Sequence, residues 1–496
     1  MTQRADTTTL AALGLSARGG REAAITGLSV DSRKVRPGHL FAALPGSRLH
    51  GAEFIQYALR MGAGAILTDP EGARIAHDPI VEHDPALVVT EDPRAALAWA
   101  AALFYGRQPE VMVAVTGTNG KTSVASFTRQ IWSLLGLPAV NIGTTGVEGA
   151  FAAPSAHTTP EPITLHEMLA EMADHGVTHA AMEASSHGLD QRRLDAVRLA
   201  AAGFTNFSQD HLDYHDSFDD YFRAKMGLFT RVLPEDGIGV INIDDAKGWS
   251  LWRTLEDARQ MEIITVGEDD RARLRILGRR YTATGQELRF SWQNAPRQAR
   301  LNLIGGFQAE NVLMAAGLAI AAGSDPDDVF ATFADLSTVR GRMQLAATRE
   351  NGAAVFVDYA HTPDALVTAL AALRPHVMGR IVVVFGAGGD RDRSKRAAMG
   401  AAAAEHADIA IVTDDNPRSE DPARIRAMVM QGCAEATEIG DRAEAILRGV
   451  DMLGAGDALL IAGKGHETGQ TIGDRTIPFS DHEAVARALN KVDKVG

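Results

Sequence analysis

Short apolar runs alternate with helical patterns along most of the chain. The clearest run, residues 111–115 (V-M-V-A-V), predicts a strand buried on both faces, which is typical of parallel sheets. Beyond a glycine turn, apolar side chains recur at helical spacing at Val124, Phe127, Ile131 and Leu134. Gly136 is placed where this helix should end. The same strand-then-helix order recurs downstream and predicts an α/β protein.

The turn between this strand and this helix has the composition of a phosphate-binding loop. It reads Thr116, Gly117, Thr118, Asn119, Gly120, Lys121 and Thr122. In such loops backbone N–H groups face the phosphates, the lysine adds positive charge and the hydroxyl reaches Mg²⁺. The usual first glycine, five positions before Gly120, is Val115 here, so the loop is a variant. The alternative is a plain glycine turn with a surface lysine.

Two further positions in this region could carry chemistry. Glu183 ends a predicted strand at the sheet edge where ligands gather, and a carboxylate there suits Mg²⁺. A helix-capping glutamate is the alternative. Lys225 lies on an amphipathic helix, where a solvated lysine is the ordinary interpretation.

Polar clusters follow the strands on either side of these two positions. Ser185, His187, Gln191, Arg192 and Arg193 could hold an anionic substrate. Asp210, His211, Asp213 and His215 resemble a metal cluster. Their spacing fits no common Zn²⁺ pattern, so a strand-end His211 bound to a nucleotide's metal is the better hypothesis.

The two ends of the chain contain their own polar loops. Near the start, Asp31-Ser32-Arg33 is either a capped turn or a ligand loop that offers a hydroxyl and a cation. In the last third, strands end at Asp358 and at Asp414-Asp415, and helices follow them. This alternation predicts a mostly parallel, doubly wound sheet. G-A-G-G-D-R lacks the last glycine of a dinucleotide fingerprint, so nicotinamide binding is only weakly indicated.

Length and composition narrow the classes of protein. With 496 residues the chain is too long for one core, and a formal charge of -14 argues against a nucleic-acid or anionic-membrane surface. Cys433 is the single cysteine, which excludes an internal disulfide. No signal-peptide core or membrane-length apolar run is present, so we expect a cytoplasmic protein without membrane insertion.

Several blocks in one order resemble the Mur ligases, ATP-dependent amide-forming enzymes that build the bacterial cell-wall peptide. The blocks are T-G-T-N-G-K-T, H-T-T-P, E-A-S-S-H-G-L-D-Q-R-R, D-Y-A-H-T-P-D-A-L, G-D-R-D-R-S-K-R, D-D-N-P-R and G-K-G-H-E. They are most similar to the branch that adds meso-diaminopimelate to UDP-N-acetylmuramoyl-L-alanyl-D-glutamate. Val115 before the loop is a trait of this family.

The resemblance implies three domains and a set of bound molecules. Residues 1–91 would form an N-terminal UDP-binding domain, 92–338 a central ATPase domain with the phosphate loop, and 339–496 a C-terminal Rossmann-like domain for the amino acid. ATP and Mg²⁺ would bind with a UDP-MurNAc-dipeptide and diaminopimelate. We also expect a monomer without a nucleic-acid partner.

Site residues follow from the resemblance position by position. The UDP-MurNAc-dipeptide would contact Val30, Ser32, Ser47, Arg48, Leu49, Thr158, Thr159, Ser185, Gln191 and Arg193. ATP would bind residues 116–122 together with Asn311, Arg342 and Asp358. Magnesium ions would bind Thr122, Glu183, His211 and a carbamate formed from CO₂ on Lys225, which reverses the ordinary interpretation of that lysine. Lys121, Glu183, His211, Lys225 and Asp358 would be catalytic.

Diaminopimelate would bind Arg391, Asp415, Asn416, Pro417, Arg418, Gly463 and Glu467. Arg418 distinguishes this amino acid from lysine, which lacks the distant carboxylate that a guanidinium pairs in bidentate fashion. Three alternatives remain: the same ligase using L-lysine, a folylpolyglutamate synthase-like ligase, and a nucleotide-binding scaffold without catalysis.

Overall fold

The computed structural model describes residues 7–46, 49–155, 157–208, 214–215, 217–259, 261–390 and 393–493. The chain divides into two compact units. The first contains residues 1–274 and 313–329, and the second contains residues 275–312 and 330–496. Within the described ranges, no helix has the length and apolar character needed to cross a membrane.

The N-terminal part of the first unit is built on a four-stranded parallel sheet whose strands lie in chain order. Its strands are Gly27–Ser29, His39–Ala42, Ala65–Thr68 and Ala86–Val89. Short strands Thr8–Thr9 and Ala24–Ile25 pair separately. The helices are Ile55–Arg60, Pro70–Ile75, His77–His83 and Pro93–Tyr105. The last begins at Pro93, where the Asp92 carboxylate caps it.

The rest of the first unit surrounds a larger sheet. Across it, the strands run Ile263–Gly267, Ile238–Asn242, Ala201–Phe204, Val111–Thr116, His179–Glu183, Ala139–Gly143 and Gly146–Gly149. All neighbours are parallel except the last pair. The α-helices are Lys121–Leu134, Pro162–Asp174, Ser186–Asp190, Phe218–Gly227 and Ala246–Arg259, and Leu228–Val232 is a π-helical turn.

The strand Val111–Thr116 lies in the middle of this sheet and confirms the predicted buried strand. The chain leaves it to one side and later returns to the other, at Ala201–Phe204. The reversal of strand order makes the carboxyl end of this strand a topological switch point, where open α/β sheets bind ligands. The helix that follows is as predicted, although Leu134 is 47% exposed and does not contribute to the core.

The second unit contains a six-stranded sheet that confirms the predicted doubly wound architecture. Across it, the strands run Gln344–Thr348, Ala354–Asp358, Ala458–Ala462, Ile381–Phe385, Ile409–Val412 and Thr437–Glu438. Only the edge strand Gln344–Thr348 is antiparallel. The strand expected to reach Asp414-Asp415 ends at Val412, so both aspartates lie in the following loop.

Helices cover both faces of this sheet. Pro363–Leu373, Lys395–His406 and Pro422–Met430 contribute to one buried cluster, and Arg442–Asp451 and Asp481–Val492 contribute to the other. Thr362 caps the first of these helices, and Pro363 occupies its first turn. The remaining helices and strands are Leu274–Thr282, Gly285–Trp292, Ala295–Leu301, Phe307–Ala321, Pro326–Ala331, Gly469–Ile472 and Arg475–Pro478.

Candidate active site

The phosphate loop is shaped by its glycines and by the neighbouring strand end. Gly117 has φ of +146°, and a Cβ there would lie 1.9 Å from the Thr205 hydroxyl, so only glycine fits. Asn206 fixes the loop from the side, because its backbone oxygen accepts from Thr118 N at 2.8 Å and its side-chain oxygen accepts from Asn119 N at 2.9 Å. The backbone is therefore preformed where the helix begins.

Two lysines donate to the same carbonyl of this loop. Lys121 Nζ lies 2.9 Å from Gly117 O and 2.8 Å from Thr118 O. Lys225 Nζ lies 2.8 Å from Gly117 O and 4.5 Å from the centroid of the Tyr221 ring. Lys225 is 1% exposed, so the interpretation of a solvated helix lysine is wrong. Its helix, Phe218–Gly227, directs it toward this loop because the aromatic residues around it belong to the core.

Glu183 lies beside the start of the phosphate-loop helix. Its strand pairs with Val111–Thr116 so that Glu183 is opposite Val115. One carboxylate oxygen accepts from the Thr122 hydroxyl at 3.0 Å, and the other accepts from Thr144 N at 2.8 Å. Burial raises the pKa of this carboxyl above its usual range, against the lowering effect of these donors. These contacts differ from those of a helix-capping glutamate.

A hydrogen-bonded set of polar side chains begins directly after Glu183. The Thr159 hydroxyl donates to Glu183 O at 2.9 Å, and Ser185 N donates to that hydroxyl at 3.0 Å. Arg193 donates to Thr159 O at 2.6 Å and to Gln191 Oε1 at 2.8 Å. Four of the residues expected at the UDP-MurNAc-dipeptide are thus in direct contact. Thr158, another of the expected residues, has its hydroxyl 3.1 Å from that of Thr144, whose backbone N donates to Glu183.

A cavity of about 140 Å³ adjoins this set of side chains. Val30, Leu44, Leu97 and Pro162 supply apolar walls, and the polar lining residues are Arg94, Glu161, Gln191 and Arg193. The cavity joins the predicted UDP-contacting Val30 to the predicted peptide-contacting Gln191 and Arg193. Arg94 has no counterpart among the sequence-based candidates, because an arginine in a first helical turn looks like an ordinary surface residue.

The Asp31 stretch forms the capped turn that was one of its two interpretations. The Asp31 carboxylate accepts from Arg33 N at 3.0 Å and pairs with the Arg33 guanidinium, which holds the pKa of Asp31 at about 2. Ser32 is buried in this turn, whereas Leu49 is 56% exposed. Ser47 and Arg48 lie outside the described residues, and the UDP contacts of this segment stay predictions.

The second unit contains the other residues expected around the nucleotide. Asn311 is buried and donates to Gln308 Oε1 at 3.1 Å. Arg342 lies over the Tyr359 ring at 5.3 Å. Asp358 ends its strand as predicted and accepts from Met343 N at 2.6 Å and from Ala360 N at 2.7 Å. Burial raises the pKa of the Asp358 carboxyl.

The D-D-N-P-R loop lies against a glycine loop of the second unit. Gly389 N donates to Asn416 O at 2.9 Å, and a Cβ on Gly389 would lie 1.9 Å from Pro417 O. Arg418 has φ of +49°, an uncommon conformation for a long side chain. Its Nη1 donates to Gly389 O at 2.7 Å, while Nε and Nη2 donate to no residue in the described ranges. Part of the guanidinium is thus open to a ligand.

The G-K-G-H-E loop completes this group of residues. Glu467 accepts from Asn416 Nδ2 at 2.9 Å, and a Cβ on Gly463 would lie 3.3 Å from Asp415 Oδ2. Burial raises the pKa of the Asp415 carboxyl. The structure thus brings together all the diaminopimelate candidates of this unit except Arg391, which lies outside the described residues. His211, the predicted metal ligand, also lies outside them.

Some residues of these two groups were not found from the sequence. Thr144, Thr205, Asn206 and Tyr221 shape the phosphate loop and Glu183. Asn206 had the clearest signal, because it closely follows a strand that is parallel to the phosphate-loop strand. Lys464 gave no signal beyond its place in the G-K-G-H-E block.

Three family models match successive parts of the chain. A family model described as "Mur ligase middle domain" matches residues 115–319, and "Mur ligase, glutamate ligase domain" matches residues 341–465. A third, "Mur ligase family, catalytic domain", matches residues 24–105. The chain belongs to the Mur ligase family. The three matches follow the predicted order of three domains, while the boundaries at 91/92 and 338/339 stay predictions.

Individual relatives of this Mur ligase were found among sequences and among solved structures. The UDP-N-acetylmuramoyl-L-alanyl-D-glutamate–2,6-diaminopimelate ligase of Chelativorans sp. (strain BNC1) is 49% identical over 95% of this chain and 96% of its own. A solved ligase of the same name is 33% identical, with a TM-score of 0.76 and coverage of 98% and 99%.

A more distant neighbour bears on one alternative. The Mycobacterium tuberculosis folylpolyglutamate synthase complexed with ADP is 19% identical, with a TM-score of 0.60. It covers 80% of this chain and 94% of its own. At this identity the likeness concerns the fold alone.

Proposed function

We propose that this Mur ligase adds meso-2,6-diaminopimelate to the D-glutamate γ-carboxylate of UDP-N-acetylmuramoyl-L-alanyl-D-glutamate, with ATP as the energy source. The observation that carries the choice of amino acid is Arg418. Its backbone and one guanidinium nitrogen are held by neighbouring loops, and the rest of the guanidinium has no partner among the described residues. A carboxylate at the far end of the amino acid is the group that such an arginine pairs best.

ATP would bind through the phosphate loop. The N–H groups around Gly117 and Gly120 and the start of helix Lys121–Leu134 provide donors and the positive end of a helix dipole. Lys121 would exchange its two loop carbonyls for phosphate oxygens. Asn311, Arg342 and Asp358 are further candidates for the nucleotide.

Hard oxygen donors at the loop fit magnesium. The Thr122 hydroxyl and the Glu183 carboxylate are 3.0 Å apart, and Mg²⁺ takes one or two carboxylates with phosphate oxygens and water. When bound, Mg²⁺ would neutralise charge on the transferred phosphoryl group.

Lys225 would become an acidic ligand by reaction with CO₂. Its Nζ would lose one proton to become a neutral amine, bond to the carbon of CO₂ and lose a second proton, and the resulting carbamate would replace a buried cation with a carboxylate near the phosphate loop. The hydrogen bond from its Nζ to Gly117 O, 2.8 Å long, supports this role. His211 stays a predicted metal ligand.

The reaction would have two steps. A γ-carboxylate oxygen of the D-glutamate attacks the γ-phosphorus of ATP, and ADP leaves. The amine nitrogen of diaminopimelate then attacks the acyl carbon, phosphate leaves, and the nitrogen loses its proton to form an amide. His211 and Asp358 are the two candidates to accept that proton, and the raised pKa of Asp358 suits a base. Positioning and electrostatics suffice, so no enzyme nucleophile is required.

Mass spectrometry of the product tests this proposal. The purified chain receives ATP, Mg²⁺ and the UDP-dipeptide with either meso-diaminopimelate or L-lysine, and phosphate release is followed in parallel. We expect phosphate release and an amide product with diaminopimelate. Preference for lysine would support the lysine-adding alternative, and activity only with a folate and glutamate would support the synthase alternative. No turnover with any of these substrates would support a scaffold.

Lys225→Ala tests the carbamate. We expect the wild type to lose activity when bicarbonate is depleted and to regain it when bicarbonate returns, whereas Lys225→Ala stays inactive in both. Unchanged activity of Lys225→Ala at low bicarbonate would contradict the assignment. We further propose that the enzyme acts in the cytoplasm as a monomer, which sedimentation of the purified chain tests.

A further inference from the structure

The loops of the proposed diaminopimelate site are built around one buried ammonium group. Lys464 is fully buried, and its Nζ donates to Asn416 Oδ1 at 2.9 Å, to Gly469 O at 2.8 Å and to Glu467 Oε2 at 3.2 Å. An ammonium has three protons, so these three acceptors use all of them. The Asp415 carboxylate lies 3.5 Å away and adds a fourth interaction.

These contacts fix the orientation of Asn416. Its Oδ1 accepts from both Lys464 and Thr471 N, the latter at 2.9 Å. Its Nδ2 is therefore turned to Glu467 Oε2, to which it donates at 2.9 Å. Lys464, Asn416 and Glu467 thus form a closed ring of hydrogen bonds that determines both side-chain orientations.

The same ring leaves part of Glu467 open to a ligand. Oε2 is occupied by Lys464 and Asn416, whereas Oε1 accepts no hydrogen bond from any described residue. The Glu467 side chain is 32% exposed, in contrast to the buried Lys464. An ammonium group of an amino acid is the kind of ligand that Oε1 can accept from.

A second buried ion pair supports the strand end from which this loop begins. Arg442 and Asp481 are fully buried and joined by two hydrogen bonds of 2.7 and 2.8 Å. Arg442 also donates to Ala462 O at 3.0 Å, one residue before Gly463. The strand end two residues before Lys464 is therefore held by a buried ion pair as well.

We propose that Lys464 is a positioning residue of the amino-acid site, which sets Asn416 and Glu467 for an amine of diaminopimelate without touching it. The inference rests on the proposed function. Its burial separates it from the residues that meet the substrate, and its three acceptors belong to the segments that form the site.

The test compares Lys464→Met with Arg349→Met. Arg349 is a partly buried cation of the same unit, with a 12% exposed side chain that pairs with Asp493 and with the carbonyls of Val450 and Leu453. We expect Lys464→Met to raise the KM for diaminopimelate by about 10- to 100-fold, because buried partners lose their donor. The KM values for ATP and the UDP-dipeptide should change less than about threefold. Arg349→Met should lower the thermal midpoint and leave all three KM values near those of the wild type.

A double-mutant cycle with Glu467→Gln tests whether Lys464 affects the KM for diaminopimelate through Glu467. If Lys464 acts through Glu467, the combined rise in KM is well below the product of the two single effects. Effects that multiply, or an unchanged KM for diaminopimelate in Lys464→Met, would overturn the inference. A wild type without diaminopimelate-dependent phosphate release would instead refute the proposed function.

If Lys464→Met gives no folded protein, Lys464→Arg replaces it. This variant keeps the buried charge, but a planar guanidinium cannot reach the same three acceptors. The same selective rise in KM is expected, and an unchanged KM for diaminopimelate would overturn the proposal.

Discussion

The phosphate loop and the D-D-N-P-R region are both proposed binding regions that follow parallel strands, yet they are held in different ways. Around Gly117 the shape comes from glycine conformations, from backbone hydrogen bonds and from the neutral side chains of Thr205 and Asn206, and Lys121 donates to two carbonyls of its own loop. Around Asn416 the shape comes from buried ions, Lys464 and the Arg442–Asp481 pair. We therefore expect that removal of a charged side chain lowers activity but not stability in the phosphate loop. In the D-D-N-P-R region it should lower both.

Arg442→Met should produce the largest effect on stability. Removal of one partner leaves Asp481 as an uncompensated buried charge, which costs about 3–5 kcal/mol. Urea denaturation followed by circular dichroism measures the loss. The double variant Arg442→Met/Asp481→Leu should be more stable than the single variant, since no charge is left unpaired. A single variant as stable as the wild type would remove the basis of the comparison.

Lys121→Ala should show the opposite behaviour. Loss of one group that stabilises the transferring phosphoryl oxygens lowers kcat by about 100- to 1,000-fold. The thermal midpoint should stay within about 2 °C of the wild type, because the loop backbone is fixed by Gly117, Asn206 and Thr205. Phosphate release and calorimetry measure the two quantities. A large drop in the thermal midpoint would show that the Lys121 side chain itself holds this loop.

How well the site residues could be predicted from the sequence follows the same division. Gly117, Gly120 and Thr122 stand together in one motif, and the carboxyl end of a buried strand positions Glu183, so local pattern sufficed. The helix of Lys225 alone suggests a solvated lysine. Its buried contact is with Gly117 O, 108 residues away, which no local pattern indicates.

Lys464 escaped notice for a related reason, since its partner Asn416 is 48 residues away and the Arg442–Asp481 pair is separated by 39 residues. Sequence pattern determines strands, turns and exposed motifs. Buried ion networks arise from tertiary contacts that no local pattern encodes.

The pH dependence of stability should differ in sign between a buried histidine of the first unit, His166, and a buried carboxyl of the D-D-N-P-R region, Asp415. His166 is buried in the first unit, and burial lowers its pKa to about 4. The unfolded state binds the proton first, so stability is fully present above pH 6.5 and falls as pH decreases to about 4, by about 3 kcal/mol. His166→Gln should flatten the unfolding free energy over this range, and an unchanged pH profile would contradict it.

Asp415 in the second unit provides the contrast. Burial raises the pKa of its carboxyl, so its contribution is present at low pH and is lost as pH rises through the folded-state pKa. Asp415→Asn should remove this opposing contribution and make the fall of stability on acidification steeper. A shallower profile would show that the carboxyl is stabilised as an anion.

We propose that Arg418 selects the amino acid. The test is the ratio of kcat/KM for meso-diaminopimelate over L-lysine, measured in the wild type and in Arg418→Ala. Arg424→Ala is the control, because Arg424 lies in the following helix with an 87% exposed side chain. We predict a strong wild-type preference for diaminopimelate. The ratio should fall by about 100-fold or more in Arg418→Ala and should be unchanged in Arg424→Ala. A ratio that Arg418→Ala leaves unchanged would contradict the claim that the D-D-N-P-R region selects the amino acid.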